Sequence, residues 1–520
     1  MISAESDVRR HCFFSFQPAL SATAPKACSL AHMAYSAYTE VASPVVAPAK
    51  NAGWVHAHYA RLRSPYDTLD KPSLQASQIQ IGKERDHLIK INYLSTLFVG
   101  IDVSSKSNVV YAMDFDENQF LSAAFSNNQP GADELAGMIH DCMVRHPNLD
   151  TIVVALESTS VYSIHIANYL SSCETLMPYK PYVYCLNPKA TANYRKSYVA
   201  MDKTDPLDAY LIADFARVGR TKKSEPWRGS QFLALKRLTR HRLHLAECIT
   251  REKTYMVSNL YLKFSELQLL EGDSQPFSNL YGSTASAVLT EFMSLQDIID
   301  STEEELLQFL ARKSRNRITD ISRTSDLLKK AARDSYRLDQ CMYEPLNISL
   351  ASSFNCIQTY QKERKLIDQA IEKCICGMNP NALTILKSIP GIGPVWASGI
   401  IAEIGDISAF HSSDALAKYA GLIWKKSDSG DFASEDNPIS KAGNTYLRYY
   451  LGEAANSVRR HSSEYGEYYL KKYAEVTKHQ HKRALALTSR KLVRLVFGLL
   501  AKNQLYTGET LDAELHIEPN

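Results

Sequence analysis

The run Leu97-Phe98-Val99-Gly100-Ile101-Asp102-Val103 decides how this chain is read. It is a short apolar strand interrupted by one carboxylate near its end. In open α/β sheets the carboxyl ends of strands are where sites are built. Downstream, 108–115 and 119–125 read as two more strands separated by polar breaks. Residues 132–145 read as an amphipathic helix with Leu135, Met138, Ile139 and Cys142 on one face. A second buried strand, 152–156, ends at Glu157; a helix over 161–170, a strand over 182–186 and helices within 189–218 follow. Three successive strands, then strands alternating with helices, predict a mixed five-stranded α/β sheet.

With 520 residues the chain is long enough for roughly three domains. Hydrophobic residues at 45% and charged residues at 22% exclude a wholly disordered or collagen-like chain. The sequence has no run of about 18 apolar residues, so no membrane span is expected. The net charge is only +3, which leaves nucleic-acid binding to local patches. Ten cysteines are scattered, and Cys374 and Cys376 form a lone C-x-C without a second pair. Such spacing fits reduced thiols in a cytoplasmic protein better than a structural zinc site. The start of the chain has no signal-peptide pattern.

Residues 1–95 stand apart: 19–50 is rich in Ala, Ser and Pro without helix or strand periodicity, and is expected to be weakly ordered. Much or all of 1–95 is expected to be a misassigned start translated from upstream sequence. The expected divisions are an α/β domain over 96–228, a helical, coiled-coil-like middle over 229–380, a mostly helical C-terminal domain over 381–505, and a tail over 506–520. In the middle, Leu238, Leu245, Ile249, Met256 and Leu260 recur at steps of seven, four, seven and four, as in a coiled coil or an ordinary packed helix. Residues 271–284 break that pattern. From 382 the chain reads helix, glycine turn, helix; 406–437 is loop-rich; 445–457 and 483–500 are helices with basic edges.

The chemistry-bearing residues fall into three groups. Asp102 and Glu157 end apolar strands, and Asp205 and Asp208 flank a helix start in Lys203-Thr204-Asp205-Pro206-Leu207-Asp208-Ala209, with Asp205 expected at or near the N-cap. Four converging carboxylates would repel unless they share cations, and a pair of Mg²⁺ ions suits both that charge and attack on a phosphodiester. Each acid alone reads first as a cap or a surface charge; that reading weakens for the set, because two acids end buried strands and two flank a helix start. Ile389-Pro390-Gly391-Ile392-Gly393-Pro394 has the form of a helix-hairpin-helix turn, in which N–H groups at Gly391 and Gly393 meet a phosphate, or of a plain tight turn. Near the C-terminus Lys482, Arg483, Arg490 and Arg494 form a basic side, while Leu485, Leu492 and Val496 form an opposite apolar one. Between these lies a serine loop carrying Lys425, Lys426, Ser429 and Gly430, followed by Ser440, Lys441 and Arg448. A serine among cations can attack a phosphate or merely shape a turn.

The strings Gly100-Ile101-Asp102-Val103-Ser104, Glu157-Ser158-Thr159-Ser160, Asn187-Pro188, Lys203–Ala209, Pro390-Gly391-Ile392-Gly393, Ala420-Gly421-Leu422, Ser429-Gly430, Lys441-Ala442-Gly443-Asn444 and Tyr446-Leu447-Arg448 resemble the insertion-sequence transposases that join a RuvC-like DEDD domain to a C-terminal serine domain. The resemblance covers about 97–505. It implies a RuvC/RNase H-like sheet domain and a recombinase that moves a DNA element. It further implies that Asp102, Glu157, Asp205 and Asp208 bind Mg²⁺ and that Ser429, with Ser440 as near rival, becomes joined to DNA. It also implies a dimer or tetramer formed through the helical middle, and a structured noncoding guide RNA that pairs with both DNAs. In relatives a glycine often follows the threonine, where Ser160 stands here. Two other readings make different predictions: a RuvC-like nuclease using water, and a non-catalytic helix-hairpin-helix DNA-binding protein.

Overall fold

A computed structural model describes residues 91–198, 204–223, 226–424, 428–429, 432–433 and 439–508. The expectations for 1–90, for Lys425 and Lys426, and for most of the tail therefore lie outside the described residues.

Five strands, β1 (Thr96–Val103), β2 (Ser107–Met113), β3 (Gln119–Ser126), β4 (Thr151–Glu157) and β5 (Tyr182–Leu186), form one sheet in the order β3-β2-β1-β4-β5. β1, β2 and β3 pair antiparallel, whereas β4 and β5 run parallel to β1. The mixed sheet expected from the sequence is thus formed, and its order and directions are consistent with a RuvC-like domain. Period two splits β1 between two faces. Leu97, Val99, Ile101 and Val103 join Ile152, Val154 and Leu156 of β4 in a core covered by α1 (Gln129–Arg145) and α2 (Tyr162–Ser172). In α1 the buried face is Leu135, Ala136, Ile139, Cys142 and Met143; Met138, expected on it, is exposed at its edge.

The opposite sheet face takes α3 (Pro188–Arg195) and α4 (Asp205–Arg217). A Cβ on Gly100 would lie 2.1 Å from the Ala209 carbonyl and 2.3 Å from the Ala213 amide, so this glycine is what lets α4 lie directly on β1. At the far end of α4, Arg217 donates to the Phe115 carbonyl just beyond β2. The helix therefore runs antiparallel to β1, and its N-terminus meets the C-terminal end of that strand.

The middle is built on two long helices, α5 (Ser230–Lys263) and α11 (Gln340–Met378). They pack antiparallel: Asn259 donates to Ser349, while Leu235 meets Ile371 and Ile375 in the C-terminal core. The heptad stripe is thus matched within the chain, because Ile249, Met256 and Leu260 pack with Leu350, Phe354 and Ile357. Between the two long helices lie α6 (Ser265–Leu269), α7 (Ser283–Glu291), α8 (Leu295–Asp300), α9 (Glu303–Ser314) and α10 (Ile321–Asp334); the break expected over 271–284 separates α6 from the last four, with α7 beginning at its end. At the tip the fully buried Lys263 donates to the carbonyls of Leu289 and Phe292 at the end of α7, and to the Asn347 side chain.

The C-terminal core comprises α12 (Pro380–Lys387), α13 (Pro394–Ile404), α14 (Ser413–Ala420), α15 (Thr445–His461), α16 (Ser463–Ala474) and α17 (Gln480–Lys502), with a short hairpin of β6 (Asp428–Ser429) and β7 (Phe432–Ala433). The loop-rich reading of 406–437 missed α14, a short helix capped by the Ser412 side chain. Among the described residues no helix is long and apolar enough to cross a membrane. The eight cysteines among the described residues are all free thiols.

Candidate active site

Asp102 is the seventh of eight residues in β1 and Glu157 is the last of β4. Gly100 is paired with Ala155 and Ile101 with Leu156, so Asp102 and Glu157 fall at the next position, on the face that α4 covers. α4 supplies Asp205 as its first residue and Asp208 one turn on; Thr204, rather than Asp205, occupies the N-cap. Asp208 directly precedes Ala209, whose carbonyl abuts Gly100, two residues before Asp102. The four acids therefore gather at one edge and one face of the sheet, as the strand ends and helix start predicted. The helix N-terminus adds partial positive charge there.

They do not close into a ligand cage. Among the described residues no group of three or more His, Cys, Asp or Glu side chains is near enough to hold a metal. The expectation that all four converge is thus met in position but not in contact, and α3 supplies the physical reason. Asn187 ends β5 and caps α3, accepting from the Lys189 amide. This launches α3 across the same sheet edge. The buried Thr191 hydroxyl donates to the Glu157 carboxylate, and Arg195 forms an ion pair with Asp208. Each of these two acids is held by its own partner.

A second polar cluster fastens α3 to α4. Asp214, almost fully buried, accepts from Tyr194 at 2.5 Å, from Tyr198, and from Arg217 at 2.8 and 2.6 Å. Burial alone would raise its carboxyl, but these bonds outweigh it and hold the group below the usual carboxylate range. Tyr198 is driven the other way, upward, by burial and by the same carboxylate. Sequence reading missed Thr191, Tyr194, Arg195 and Tyr198. The signal was present: positions 191, 194, 195 and 198 share one helical face.

In the C-terminal part, Ser429 is paired with Phe432 in the β6–β7 hairpin. Ser440 follows the Trp424–Ile439 bridge, and its amide donates to the Ile423 carbonyl at 2.7 Å. The turn after Ser440 is held from below. Arg448, expected on nucleic acid, points its guanidinium at the carbonyls of Ala420 and Lys441, at 3.0 Å each. Asn444 caps α15 through its oxygen and donates to Glu403 at 2.8 Å. Glu403, with its side chain wholly buried in α13, is gripped by Arg240 at 2.8 and 3.0 Å and lies 3.8 Å from Lys236. This network was not legible, because its members are separated by up to about 200 positions in the chain.

The remaining candidates divide. Lys441 is exposed on left-handed backbone. Gly391 has φ +92, and a Cβ there would lie 3.0 Å from the backbone of Ser457 and Val458, so it shapes a turn packed on α15. Gly393 is the N-cap of α13 and its Cβ position is open. Arg483 pairs with Glu475 at 2.9 Å and Arg490 with Asp414, whereas Arg494 is exposed and Lys482 half-buried. The expected apolar side of α17 is confirmed by the burial of Leu485, Leu492 and Val496.

The chain thus joins a mixed sheet with acids at its carboxyl edge to a helical C-terminal unit. Residues 99–264 match the DEDD transposase domain model of the IS110 type, and residues 383–470 match the model described as transposase, IS116/IS110/IS902 family. Two separate stretches of the chain are thus similar to transposase domains of the IS110/IS116/IS902 type. It is 26% identical to the transposase for insertion sequence element IS1111A of Coxiella burnetii over 43% of this chain and 65% of that protein. It is 24% identical to an insertion element IS116 protein of Streptomyces clavuligerus over 60% and 74% of the two chains. With the pilin gene-inverting protein of Moraxella bovis it shares 23% identity over 79% of this chain and 98% of the other.

Proposed function

We propose that the protein excises and inserts a mobile DNA element by Mg²⁺-dependent strand cleavage with a serine nucleophile. The observation that carries this reading is the gathering of Asp102, Glu157, Asp205 and Asp208 at one sheet edge inside a matched DEDD domain. Their donors are all carboxylate oxygens on three elements, a set that fits a hard divalent cation. Asp102, Glu157, Asp205 and Asp208 would hold Mg²⁺ there, and the ion would supply neutralisation of charge on the phosphoryl oxygens. The Ser429 hydroxyl forms the bond to phosphorus while one bridging P–O bond breaks, and its proton leaves with the departing oxygen. The free hydroxyl of the partner strand then reverses the step on a new joint. Support for Ser429 over Ser440 is its position in the β6–β7 hairpin, whereas the Ser440 amide is tied to Ile423.

Backbone phosphates are met by the exposed Lys441, by Lys425 and Lys426 of the serine loop, and by the helix-hairpin-helix turn at Gly391 and Gly393. Lys482 and Arg494 add further cations, whereas Arg483 and Arg490 are already paired with Glu475 and Asp414. The chain acts in the cytoplasm as a dimer or tetramer, and a structured guide RNA delivers sequence choice by base pairing, so the protein reads backbone and shape. A relative named for inverting a gene favours rejoining of strands over cutting alone.

The test incubates protein, Mg²⁺, the element's RNA and end-labelled element DNA, then denatures. A protein–DNA adduct is expected, absent in Ser429→Ala and Asp102→Asn and retained in Ser440→Ala. Cleavage that persists in Ser429→Ala without any adduct would establish water as the nucleophile and refute the serine step.

A further inference from the structure

We propose that Arg195 is the resident counter-cation of the acid edge: it neutralises Asp208 before a divalent ion binds and leaves it when one does. The inference rests on the metal-site reading above and deepens it. Three observations carry it. First, Arg195 pairs with Asp208, one of the four acids, and both partners are largely withdrawn from solvent, with side-chain exposures of 29% and 17%. Second, Arg195 Nη1 and Asp208 Oδ1 are both buried without a hydrogen-bond partner, so the pair leaves both groups only partly satisfied. Third, the pair is not what docks α3. That work falls to Thr191 on Glu157, and to Tyr194 and Tyr198 on the buried Asp214, which Arg217 also holds. Arg220 stacks on Tyr194 from outside, 4.7 Å from the ring centroid.

An arginine needed only for packing would be expected among those buried anchors. Instead it projects one turn beyond Thr191, to the one acid of α4 that neighbours the Gly100 contact. A fixed positive charge at that spot and a divalent cation compete for the same carboxylate, since like charges a few ångströms apart repel strongly in a half-buried site. The acid edge therefore has two states. In one, Arg195 covers Asp208 and the four acids stay apart; in the other, a cation gathers them and the guanidinium is released.

Mn²⁺ binding to the full chain without nucleic acid, followed by the electron paramagnetic resonance signal of free Mn²⁺, tests this. Arg195→Gln is expected to tighten Mn²⁺ binding about tenfold, whereas Arg195→Lys, which keeps the charge, stays near the parent value. An unchanged or weaker affinity in Arg195→Gln overturns the inference. A second measurement on the parent chain holds even if the variant folds poorly: phenylglyoxal modification of Arg195, read by peptide mass, should accelerate when Mn²⁺ is added. No acceleration overturns it as well. Mn²⁺ binding that is lost in Asp102→Asn but indifferent to Arg195→Gln sinks this inference alone. Absence of Mn²⁺ binding in every form sinks the metal-site reading with it.

Discussion

Removing Arg240 should loosen the floor of the C-terminal domain by a predictable amount. Glu403 is wholly buried, and Arg240 meets both its oxygens, at 2.8 and 3.0 Å, while stacking on Tyr446 with its guanidinium 4.1 Å from the ring centroid. In Arg240→Met the carboxylate keeps only Asn444 at 2.8 Å and Lys236 at 3.8 Å. Breaking a buried pair costs about 3–5 kcal/mol, because one charge remains in the interior. The residual partners pull the estimate towards the lower end, and loss of the stacking adds about 0.5–1 kcal/mol, so about 3–4 kcal/mol is expected. The double variant Arg240→Met with Glu403→Met removes both charges and should recover at least half of that loss. Amide hydrogen exchange of peptides from α13 and α15 reads it directly, since 3 kcal/mol corresponds to roughly a hundredfold loss of protection. A loss under about fivefold in the single variant, or a double variant worse than the single, would refute the reasoning.

Gly100→Ala should force α4 off β1, since the added methyl would lie 2.1 Å from the Ala209 carbonyl; a loss of about 1–3 kcal/mol should appear as a melting temperature lower by several degrees, with an unchanged melt refuting it. Ser160 has φ +53, a left-handed backbone position just after Glu157, so Ser160→Gly should stabilise the chain by about 0.5–1 kcal/mol in thermal melts, against destabilisation at an ordinary exposed position. Burial pushes the Lys263 ammonium down to about 8, with Asp297 partly opposing, below about 10.4 in the unfolded chain. Between those values the unfolded chain binds the extra proton, so stability of the helical middle rises from pH 8 to pH 10 in urea titrations. That slope should vanish in Lys263→Met, which also leaves three acceptors unpaired at about 1–3 kcal/mol each.

The sheet was legible because each strand is a local signal. Leu97 to Val103 and Ile152 to Leu156 are apolar runs ended by an acid, and neither needs knowledge of its neighbour. The site was half legible for the same reason: Asp102, Glu157, Asp205 and Asp208 mark strand ends and a helix start, and those ends meet. What the acids touch was not, because Thr191 and Arg195 matter only once β5 has placed α3 over the edge. The stripe through Ile249 and Met256 fits a coiled coil or an ordinary packed helix; its partner lies on α11, some hundred residues away, and no local period reveals whether a stripe pairs within a chain or between chains. Basic stripes mislead in a different manner. Arg483 and Arg490 share a helical face, yet Glu475 and Asp414 come from other elements to neutralise them.

The antiparallel hairpin of α5 and α11 has a mechanical consequence. α5 has 34 residues, which at 1.5 Å each makes a rod about 50 Å long. Its base is clamped in the C-terminal domain through Arg240 and Leu235, and its tip is plugged by Lys263. A pivot of about 5° at the clamp would sweep the tip through roughly 4 Å. The hairpin can thus act as a lever that reports small adjustments beneath the serine loop to whatever rests against its distal end.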